Sequence, residues 1–450
     1  MPKKTLNAFY DLVIVGGLGY VGLPLGIVFA EKGLRVCLYD IDKEKGELVK
    51  KGKMPFIEYG AQEILEKVLK AKTLTVSLDI KDISKAKYVI VTIGTPVDEH
   101  LTPKTRAFLE FFESIRGYLN PNQIIIIRST VYPNTCEQLL RMLGNGKAWH
   151  IAYCPERIIE GYAIKELKEI PQIIAGLSEH AINSAAALFS IISPKIIKTA
   201  MGEAELVKLF SNAWRYIQFA LANQFYMISY RFGVDYERVR WAMKEGYERA
   251  AALPSAGFSA GPCLLKDTMQ LVAFDSNNFL LGHAAMMINE GLPNFIVEDI
   301  RKRYDLQKTK VGILGMAFKA DIDDIRDSLS YKLGKILRFH GAQVYYCDEY
   351  VKNPTFSSKE KLIKECDVII VGVPHSAYKG LVVAETVEVV DLWGVVSGGR
   401  RVIPKGYITS EYKTLDAFDQ AIAEQYAQST TLQHEVRLKK SKRPKNNGSR

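Results

Sequence analysis

Residues 11–25 read Asp-Leu-Val-Ile-Val-Gly-Gly-Leu-Gly-Tyr-Val-Gly-Leu-Pro-Leu. The stretch begins with an apolar, β-branched run that is typical of a buried strand, and it then breaks into glycines. Apolar residues with helical spacing continue through Ala30, and a second strand pattern follows Gly33 and ends at Asp40. The order strand, glycine turn, helix, strand predicts the first unit of a parallel, doubly wound sheet.

The glycines of this stretch follow the pattern G-x-G-x-x-G, with Gly17, Gly19 and Gly22 between the strand and the helix. In such a place the first glycine permits a tight turn, the second lets the backbone approach a pyrophosphate, and the third lets the helix pack closely. Asp40 ends the next strand, where a carboxylate accepts ribose hydroxyls and repels the 2′-phosphate of NADP. We therefore predict a dinucleotide site with NAD as the cofactor, although two lysines within 43–45 leave NADP open.

Strand and helix patterns alternate at both ends of the chain, and a long helical pattern separates the two ends. Further buried-strand patterns occur at 88–93, 124–127, 151–153, from 310, and at 343–347, 367–373 and 387–392. In the middle, residues 202–244 read as one long helix, and helix resumes at 264 and continues to about 289. The predicted fold class is α/β, with two Rossmann-like, doubly wound parallel-sheet domains joined by a long-helix central segment.

We place the domain boundaries where these patterns change. The predicted units are an NAD-binding domain at 1–201, a central helical domain at 202–300, a second α/β domain at 301–427 and a basic tail at 428–450. The tail holds seven of the ten excess positive charges of the chain, all within 436–450, so the rest of the chain is close to neutral. An isolated basic run is typical of a solvated, disordered end. We therefore expect no nucleic-acid partner.

Composition and the spacing of the cysteines restrict the class of protein to which the chain can belong. Apolar residues make up 48% and charged residues 24% of the chain, as in ordinary globular proteins. The six cysteines lack the short paired spacings of a zinc site or a disulfide framework, so we predict no metal site and a reducing compartment. No apolar run reaches the length of a membrane span, and the first residues lack the core of a signal peptide. We expect a cytoplasmic protein without membrane insertion.

Cys263 is the strongest candidate for chemistry. It follows a glycine- and proline-containing approach at 256–262, and an apolar helical pattern runs over 264–274. Because the positive end of a helix dipole favours a thiolate, we predict a lowered pKa for this thiol. Lys266 is close in sequence, and Asp267 falls on the same helical face. The alternative is a small buried side chain at the start of a helix, because free cysteine is among the most buried residue types.

Other polar residues occupy positions that suit an active site. Lys208 and Asn212 are four residues apart on the long helix and share a face, with a solvated polar face as the alternative. Thr130 follows one predicted strand, and Glu156 and Glu160 follow the next, so all three lie where doubly wound sheets bind ligands. The alternatives are an ordinary turn hydroxyl for Thr130 and helix-starting acids for the two glutamates.

The chain resembles the nucleotide-sugar 6-dehydrogenases of the UDP-glucose/GDP-mannose dehydrogenase family from about Asp11 to Val396. Seven motifs occur in the order of the family. They are G-x-G-Y-V-G-L-P-L at 17–25, Gly-Thr-Pro at 94–96, Ser-Thr-Val at 129–131, Pro-Glu-Arg at 155–157, the Lys208 and Asn212 helix, Pro-Cys-Leu-Leu-Lys-Asp at 262–267, and Ala-Phe-Lys at 317–319 followed by 323–328. One such motif is weak evidence, whereas seven in order make the resemblance strong.

The resemblance implies an NAD-dependent, four-electron oxidation of a sugar C6 alcohol to a carboxylate, without release of the aldehyde. Cys263 would trap the aldehyde as a thiohemiacetal, a second oxidation would give a thioester, and water would hydrolyse it. Lys208 and Asn212 would stabilise oxyanions. Asp267 would act as a base or orient a water together with Thr130.

The resemblance also assigns further residues and implies a homodimer or higher homo-oligomer that binds a nucleotide sugar. Those expected to assist thioester hydrolysis are Glu156 and Glu160. Those expected at the cofactor are Gly17, Gly19, Tyr20, Val21, Gly22, Asp40, Thr95 and Thr130. Those expected at the substrate are Glu156, Arg157, Lys208, Asn212, Arg249, Gly257, Phe318, Lys319 and Arg326, with Arg249 reaching a neighbouring subunit's substrate. For Lys319 and Arg326 the alternative is surface salt bridging with nearby aspartates.

The sequence departs from the family pattern before the cysteine, where Ala-Gly-Pro-Cys at 260–263 replaces a loop that is often richer in glycine. Arg157 resembles enzymes of N-acetylated sugars, whereas Glu160 resembles the UDP-glucose type. These two residues point to different sugars; of the two, we expect a UDP-N-acetylhexosamine, with UDP-glucose as the alternative.

Two other functions compete with that of a nucleotide-sugar 6-dehydrogenase. They are a two-electron dehydrogenase of the hydroxy-acid or 6-phosphogluconate kind, and a non-catalytic nucleotide-sugar-binding protein. The second α/β domain counts against the first, and the intact catalytic set counts against the second.

Overall fold

The computed structural model describes residues 9–95, 97–98, 104–144 and 149–401. The predicted tail at 428–450 and the end of the predicted second α/β domain at 402–427 lie outside the described residues. The strands are β1 (Tyr10–Val15), β2 (Val36–Tyr39), β3 (Leu74–Ser77), β4 (Ala86–Val91), β5 (Ile124–Ile127), β6 (His150–Tyr153), β7 (Gln172–Gly176), β8 (Ile196–Lys198), β9 (Lys310–Leu314), β10 (Gln343–Cys347), β11 (Val368–Val371), β12 (Val382–Val390) and β13 (Ser397–Arg400).

The helices fall into three groups along the chain. Those of the first α/β domain are α1 (Gly22–Glu31), α2 (Lys43–Lys50), α3 (Ala61–Lys70), α4 (Thr105–Ile115), α5 (Thr135–Leu143), α6 (Ala163–Glu169) and α7 (Glu179–Phe189). The central helices are α8 (Met201–Phe232), α9 (Tyr236–Lys244), α10 (Leu264–Phe274) and α11 (Leu280–Arg301). Those of the second α/β domain are α12 (Leu329–Phe339) and α13 (Lys359–Glu365).

Eight strands form the first sheet in the order β3-β2-β1-β4-β5-β6-β7-β8. All neighbouring strands are parallel except β6 and β7, which are antiparallel. The predicted doubly wound fold is therefore confirmed, with one reversed pairing that the sequence patterns did not indicate. Because of this reversal the amino-terminal half of β7 extends past the carboxyl end of β6, and Gln172 lies beside Pro155, where its Nε2 donates to the Pro155 carbonyl at 3.3 Å.

The second sheet contains five strands in the order β10-β9-β11-β12-β13, and all of its pairings are parallel. Both sheets are covered on both faces, because successive residues of a strand point to opposite sides. In β1, for example, Ile14 belongs to one core cluster with Phe29 of α1, whereas Val13 belongs to another with Phe112 of α4. This layering brings the carboxyl ends of the parallel strands to one edge of each sheet.

The central segment differs in detail from its prediction. One continuous helix over 202–244 is wrong, because Gly233 ends α8 in the left-handed region with φ +86°. Asp235 then caps α9 by accepting the Glu237 and Arg238 N–H groups. Helix over 264–289 is likewise interrupted after α10, and α11 continues to Arg301. The start of α10 directly after Cys263 agrees with the sequence pattern.

Two findings limit the classes of site in the described part of the chain. None of its helices combines the length and apolarity that a membrane span requires. Within the same residues, no three side chains of His, Cys, Asp or Glu converge as metal ligands would.

Candidate active site

The glycine loop after β1 has room for a ligand at one glycine only. A Cβ on Gly17 would lie 2.8 Å from the Cα of Leu38, and one on Gly22 would lie 2.3 Å from the Gly16 carbonyl oxygen. A Cβ on Gly19 would meet only that same oxygen, at 3.6 Å. The outer two glycines are therefore required by packing, whereas Gly19 borders open space before α1, where a pyrophosphate would sit on the helix N-terminus.

Asp40 lies beside this loop at the end of β2. Its Oδ2 accepts the Leu18 N–H at 2.9 Å, and its Oδ1 accepts the Ile41 N–H at 2.8 Å. Val21 directly precedes α1. The open face at Gly19 and the adjacent carboxylate together fit the diphosphate and the ribose of NAD.

Tyr20 faces away from the glycine turn toward the second α/β domain. Its ring packs against Phe56 at a centroid distance of 4.3 Å, and the Arg326 guanidinium lies 4.5 Å from its ring centre. The predicted cofactor contact of Tyr20 stays a prediction. What the structure adds is a direct link between the glycine loop and a predicted substrate residue.

Two central helices assemble the predicted catalytic residues. Leu209 and Ala213 of α8 pack against Leu271 of α10, which turns the polar faces of the two helices toward each other. Asn212 is buried and donates from Nδ2 to Asp267 Oδ2 at 2.5 Å. The structure thus joins, by a direct contact, two residues that are 55 positions apart in the chain.

Lys266 connects this pair to the first sheet. Its Nζ lies 2.7 Å from Asp267 Oδ1 and donates to Thr95 Oγ1 at 3.4 Å. Thr95 in turn donates to the Thr130 carbonyl oxygen at 2.5 Å. These two threonines follow β4 and β5, so the catalytic helices meet the first sheet at the carboxyl edge, where doubly wound sheets bind ligands.

Cys263 directly precedes α10 and is exposed, whereas the other five cysteines are buried. The alternative of a buried structural cysteine is therefore wrong. The predicted lowering of the thiol pKa is also wrong: the surrounding protein raises the pKa of Cys263, and the Asp267 carboxylate adds to this. The positive charges of Lys208 and Lys266 act in the opposite direction but do not prevail. Lys208 is buried on α8, and the role predicted for it stays a prediction.

Glu156 is engaged by a partner that the sequence patterns did not indicate. It forms a buried ion pair with Arg128, which also donates to the Cys154 carbonyl at 3.1 Å and to Gln172 Oε1 at 2.9 Å. The Glu156 Oε1 accepts the Arg157 N–H, and the Arg157 side chain donates to the Pro171 carbonyl, at 2.6 and 2.5 Å. These contacts tie Glu156 and Arg157 to the β6–β7 connection, and the roles predicted for both stay predictions.

Glu160 lies between the first domain and the second. Its backbone oxygen accepts Lys319 Nζ at 2.7 Å, and its Oε1 lies 3.2 Å from the Arg326 guanidinium. Burial and the neighbouring Asp324 carboxylate raise the pKa of Glu160, and its negative charge in turn raises that of Cys263. Glu160 therefore belongs to the same electrostatic environment as the cysteine.

The two predicted substrate cations differ in how far they are already paired. Arg326 bonds both carboxylate oxygens of Asp324, at 2.6 to 3.0 Å, so the salt-bridge alternative applies to it in part. The Lys319 ammonium bonds the Glu160 carbonyl and lies 5.3 Å from the Tyr162 ring centre, and burial lowers its pKa.

The remaining predicted substrate residues fall in three places. Phe318 contacts the cysteine loop, because a Cβ on Gly261 would lie 2.6 Å from its ring. Gly257 bonds Asn223 through both its N–H and its carbonyl, and the Trp393 ring covers its Cα. Arg249 is exposed beside the Tyr247 ring, and the structure shows no contact between it and the Cys263 cluster among the described residues.

Three residues of the site region were missed by sequence reasoning: Glu58, Arg128 and Lys266. Lys266 was predicted only to lie close to Cys263. Its place directly before Asp267, a predicted catalytic residue, could have indicated that it also belongs to the site. Arg128 follows the isoleucine strand in the position before Ser129 and Thr130, which would have marked it as a strand-end residue. Glu58 lies outside every motif, and only the folded chain shows its partners.

Comparison with known proteins agrees with this arrangement along nearly the whole described chain. Residues 11–193 match the NAD binding domain of the UDP-glucose/GDP-mannose dehydrogenase family, 202–290 match its central domain, and 312–403 match its UDP binding domain. The chain belongs to this family. NAD is thereby confirmed as the cofactor, and the predicted resemblance is confirmed.

Individual relatives are of similar length and architecture. UDP-N-acetyl-D-mannosamine dehydrogenases of Pyrococcus horikoshii and Methanocaldococcus jannaschii are 31% and 30% identical, over 82% and 84% of this chain and 90% and 89% of theirs. The solved structure of UDP-D-ManNAc dehydrogenase from Pyrococcus horikoshii aligns with a TM-score of 0.77 at 27% identity, over 85% of this chain and 98% of that chain. A UDP-glucose dehydrogenase from Pyrobaculum islandicum, at 24% identity and a TM-score of 0.79 over 90% of this chain and 99% of that chain, shares the fold.

Proposed function

We propose that this protein oxidises the C6 alcohol of a UDP-N-acetylhexosamine to the carboxylate, with NAD as the oxidant, through a covalent intermediate on Cys263. The observation that carries this proposal is the meeting of Cys263, Lys208, Asn212 and Asp267 at the edge of the NAD-binding sheet. Family membership supports the reaction type, and the names of the relatives support the UDP-sugar.

Two oxidations separated by a covalent step account for the residues of the site. Bound NAD supplies a two-electron acceptor for each oxidation. After the alcohol has become an aldehyde, the Cys263 sulfur adds to the carbonyl carbon, and the thiol proton is lost to a base. Loss of the remaining hydrogen from that carbon as hydride gives the thioester, and attack by water forms the carboxylate and returns the free thiol.

Lys208 and Asn212 are suited to stabilise the oxygen of each tetrahedral species. Both side chains are buried on one face of α8, and preorganised donors in such surroundings are effective because they do not need to reorient. Asp267 fixes the amide orientation of Asn212 and is itself paired with Lys266. We assign Asp267 as the group that receives the first proton or orients the water for hydrolysis, together with Thr130.

Proton transfer during hydrolysis has two candidates. Glu160 shares the electrostatic environment of Cys263, and its raised pKa suits a group that both accepts and donates a proton near neutral pH. Glu156 is the family-based candidate, and its use would require its ion pair with Arg128 to open. A Glu160→Gln variant that accumulates thioester while Glu156→Gln does not would favour Glu160, and the reverse result would favour Glu156.

The decisive experiment is a substrate panel with NAD. The panel contains UDP-N-acetylmannosamine, UDP-N-acetylglucosamine, UDP-N-acetylgalactosamine, UDP-glucose and GDP-mannose, and it measures NADH formed per sugar consumed. We expect two NADH per UDP-N-acetylhexosamine. One NADH per sugar, with a fully active Cys263→Ala variant, would instead support a two-electron dehydrogenase, and sugar binding without NADH would support a non-catalytic binding protein.

We propose that the chain forms a homodimer through the exposed apolar face of its central helices. Large apolar side chains on α8 are exposed, with Phe210 at 57% and Trp214 at 62%. Leu280 and Met287 of α11 are exposed at 73% and 70%. Apolar patches of this kind mark protein interfaces. Light scattering after size exclusion tests this, since a Trp214→Glu variant that stays dimeric would exclude α8 from the interface.

We propose the cytoplasm as the place of action. All six cysteines are unpaired in the structure, which is typical of proteins from reducing compartments. Fractionation of the source cells, with the activity followed by NADH formation, tests this location.

A further inference from the structure

Residues 56–59, which we call the clasp, connect the first α/β domain to the second. The Ile57 N–H donates to Asp323 Oδ1 at 3.0 Å. The Tyr59 hydroxyl donates to the Asp321 carbonyl oxygen at 2.8 Å. Both acceptors belong to the loop between β9 and α12, which also carries the two predicted substrate cations, Lys319 and Arg326. The clasp is therefore bonded directly to the loop that we propose binds the substrate.

Between these two contacts, Glu58 points back into the first domain. It is 6% exposed, and its two carboxylate oxygens accept different backbone groups. Oε2 accepts the Gly161 N–H at 3.1 Å, and Oε1 accepts the Ile164 N–H at 3.2 Å. The Tyr59 N–H completes the attachment by donating to the Gly161 carbonyl at 2.9 Å. The turn that follows Glu160 is thus fixed by the clasp through both its N–H and its C=O groups.

This turn is also the anchor of the substrate-side cations. The Lys319 ammonium donates to the Glu160 carbonyl oxygen at 2.7 Å, and Arg326 pairs with the Glu160 carboxylate. Displacement of the turn would therefore release the ammonium of Lys319 from its present position. Groups that are held in place before binding lose less entropy on binding.

We propose that Glu58 is a positioning residue for substrate binding: it fixes the 160–162 turn so that Lys319 and Arg326 are held ready for the diphosphate of the nucleotide sugar. This inference rests on the proposed function, since it takes those two cations as the diphosphate site. A carboxylate suits the task because each of its oxygens accepts one N–H. A glutamine has one acceptor oxygen and would place an NH2 group against the second N–H.

Isothermal titration with UDP alone tests the inference, because it requires no turnover. The proteins compared are the wild type, Glu58→Gln, the conservative Glu58→Asp, and Glu63→Gln as a matched control on exposed Glu63 of the adjacent helix α3. We expect about a tenfold loss of UDP affinity in Glu58→Gln, a smaller loss in Glu58→Asp and none in the control. NAD affinity should stay within about twofold in every variant, because the glycine loop has no bond to Glu58.

Kinetics with the active sugar should agree, with KM for the sugar raised more than kcat is lowered. Unchanged UDP affinity in a folded Glu58 variant would overturn the inference, as would an equal loss of UDP and NAD affinity. If Glu58→Gln does not fold, Glu58→Asp carries the same comparison. Failure of the wild type to bind UDP would refute the proposed function itself, which separates that failure from a failure of the clasp alone.

Discussion

The two α/β domains carry an aspartate at the same topological position and use it differently. Asp40 directly follows the second strand of the first domain, and its carboxylate accepts three backbone N–H groups while it remains partly exposed. Asp348 follows the second strand of the other domain, where its side chain is fully buried and accepts N–H groups of Met316, Ala317, Tyr350 and Val351. His375 adds a further contact at 3.0 Å. The first aspartate remains accessible beside a ligand loop, and the second is enclosed by protein.

The glycines of the two loops show the same contrast. Gly16 and Gly315 directly follow β1 and β9, and both have a positive φ and crowded surroundings. Four residues after the strand, however, the first loop has Gly19, which borders open space, whereas the second loop has Phe318. The second loop therefore carries a side chain at the position where the first loop leaves room for a dinucleotide. Its polar contribution comes instead from Lys319 and Arg326, which lie toward the first domain. We therefore propose that one fold supplies a cofactor site by its backbone and a substrate site by its side chains.

The largest expected effect comes from replacing Cys263, which should abolish turnover while both α/β domains keep their ligand affinities. Cys263→Ala should lower kcat at least about a thousandfold, because the proposed covalent intermediate forms on the Cys263 sulfur. UDP and NAD affinities should both remain, since neither domain depends on the thiol. The measurement is NADH formation combined with titration of each ligand. Retention of more than a tenth of the activity would remove Cys263 from the mechanism.

Two glycine substitutions separate the ligand-facing position of the first loop from a packing position of the second. Gly19→Val should weaken NAD binding about a hundredfold and leave the melting temperature unchanged, because the side chain enters the ligand space. Gly315→Val should instead destabilise the fold by about 3 kcal/mol, through overpacking and backbone strain. Urea unfolding and NAD titration measure the two effects. If Gly19→Val unfolds the protein as well, Gly19 is a packing position too.

Lys319 and Arg326 of the second domain should contribute unequally to UDP affinity. Lys319→Met should reduce UDP affinity about thirtyfold, since a charge-assisted bond to phosphate is lost. Arg326→Met should reduce it only about fivefold, because Asp324 already neutralises much of the guanidinium charge. NAD titration serves as the control for both variants. Equal losses of UDP affinity would show that the Asp324 pairing opens when substrate binds.

The smallest effects are expected from replacing Asp348 and Asp40, and the two variants should differ in which property changes: stability for Asp348 and NAD binding for Asp40. Burial raises the pKa of Asp348, but His375 and the backbone N–H groups outweigh burial and lower it to about 2. The ionised carboxylate therefore stabilises the fold above about pH 4, and this contribution, about 2 kcal/mol, is lost as the pH falls toward 2. Asp348→Asn should be less stable than the wild type at pH 7 but not near pH 2, as measured by urea unfolding.

Asp40→Asn is the counterpart in the first domain. It should raise KM for NAD by up to about tenfold and leave urea unfolding at pH 7 within about 0.5 kcal/mol of the wild type. A large loss of stability in this variant would contradict the assignment of Asp40 to the ligand rather than to the fold.

Periodic elements were predictable from local sequence, and their breaks were not. The four isoleucines of β5 and the apolar spacing of α10 agree with the structure because burial imposes those patterns on the residues themselves. The end of α8 at Gly233 was not predictable, because helices tolerate single glycines. A glycine ends a helix only where the backbone adopts the left-handed conformation.

Pairings across long sequence distances were predictable only where a family motif marked both partners. The bond between Asn212 and Asp267 joins two such residues. The Arg128–Glu156 ion pair joins residues that follow the neighbouring strands β5 and β6, and no family motif contains Arg128. The reversed strand β7 adds Gln172 as a further partner of Arg128. The pKa of Cys263 was predicted in the wrong direction, since helix position is visible in sequence but desolvation by surrounding protein atoms and the nearby Asp267 carboxylate are not.

The unbroken length of α8 has a consequence for how this chain can evolve. Asn212 on this helix holds α10 through Asp267, and Asn223, eleven residues later, holds the start of the cysteine loop at Gly257. The two contacts lie about 16 Å apart along one rigid axis. Inserting or deleting a single residue between them would rotate one contact by about 100° relative to the other. We therefore expect this chain to tolerate changes of length in its loops but not between these two contacts, whose spacing positions the cysteine loop.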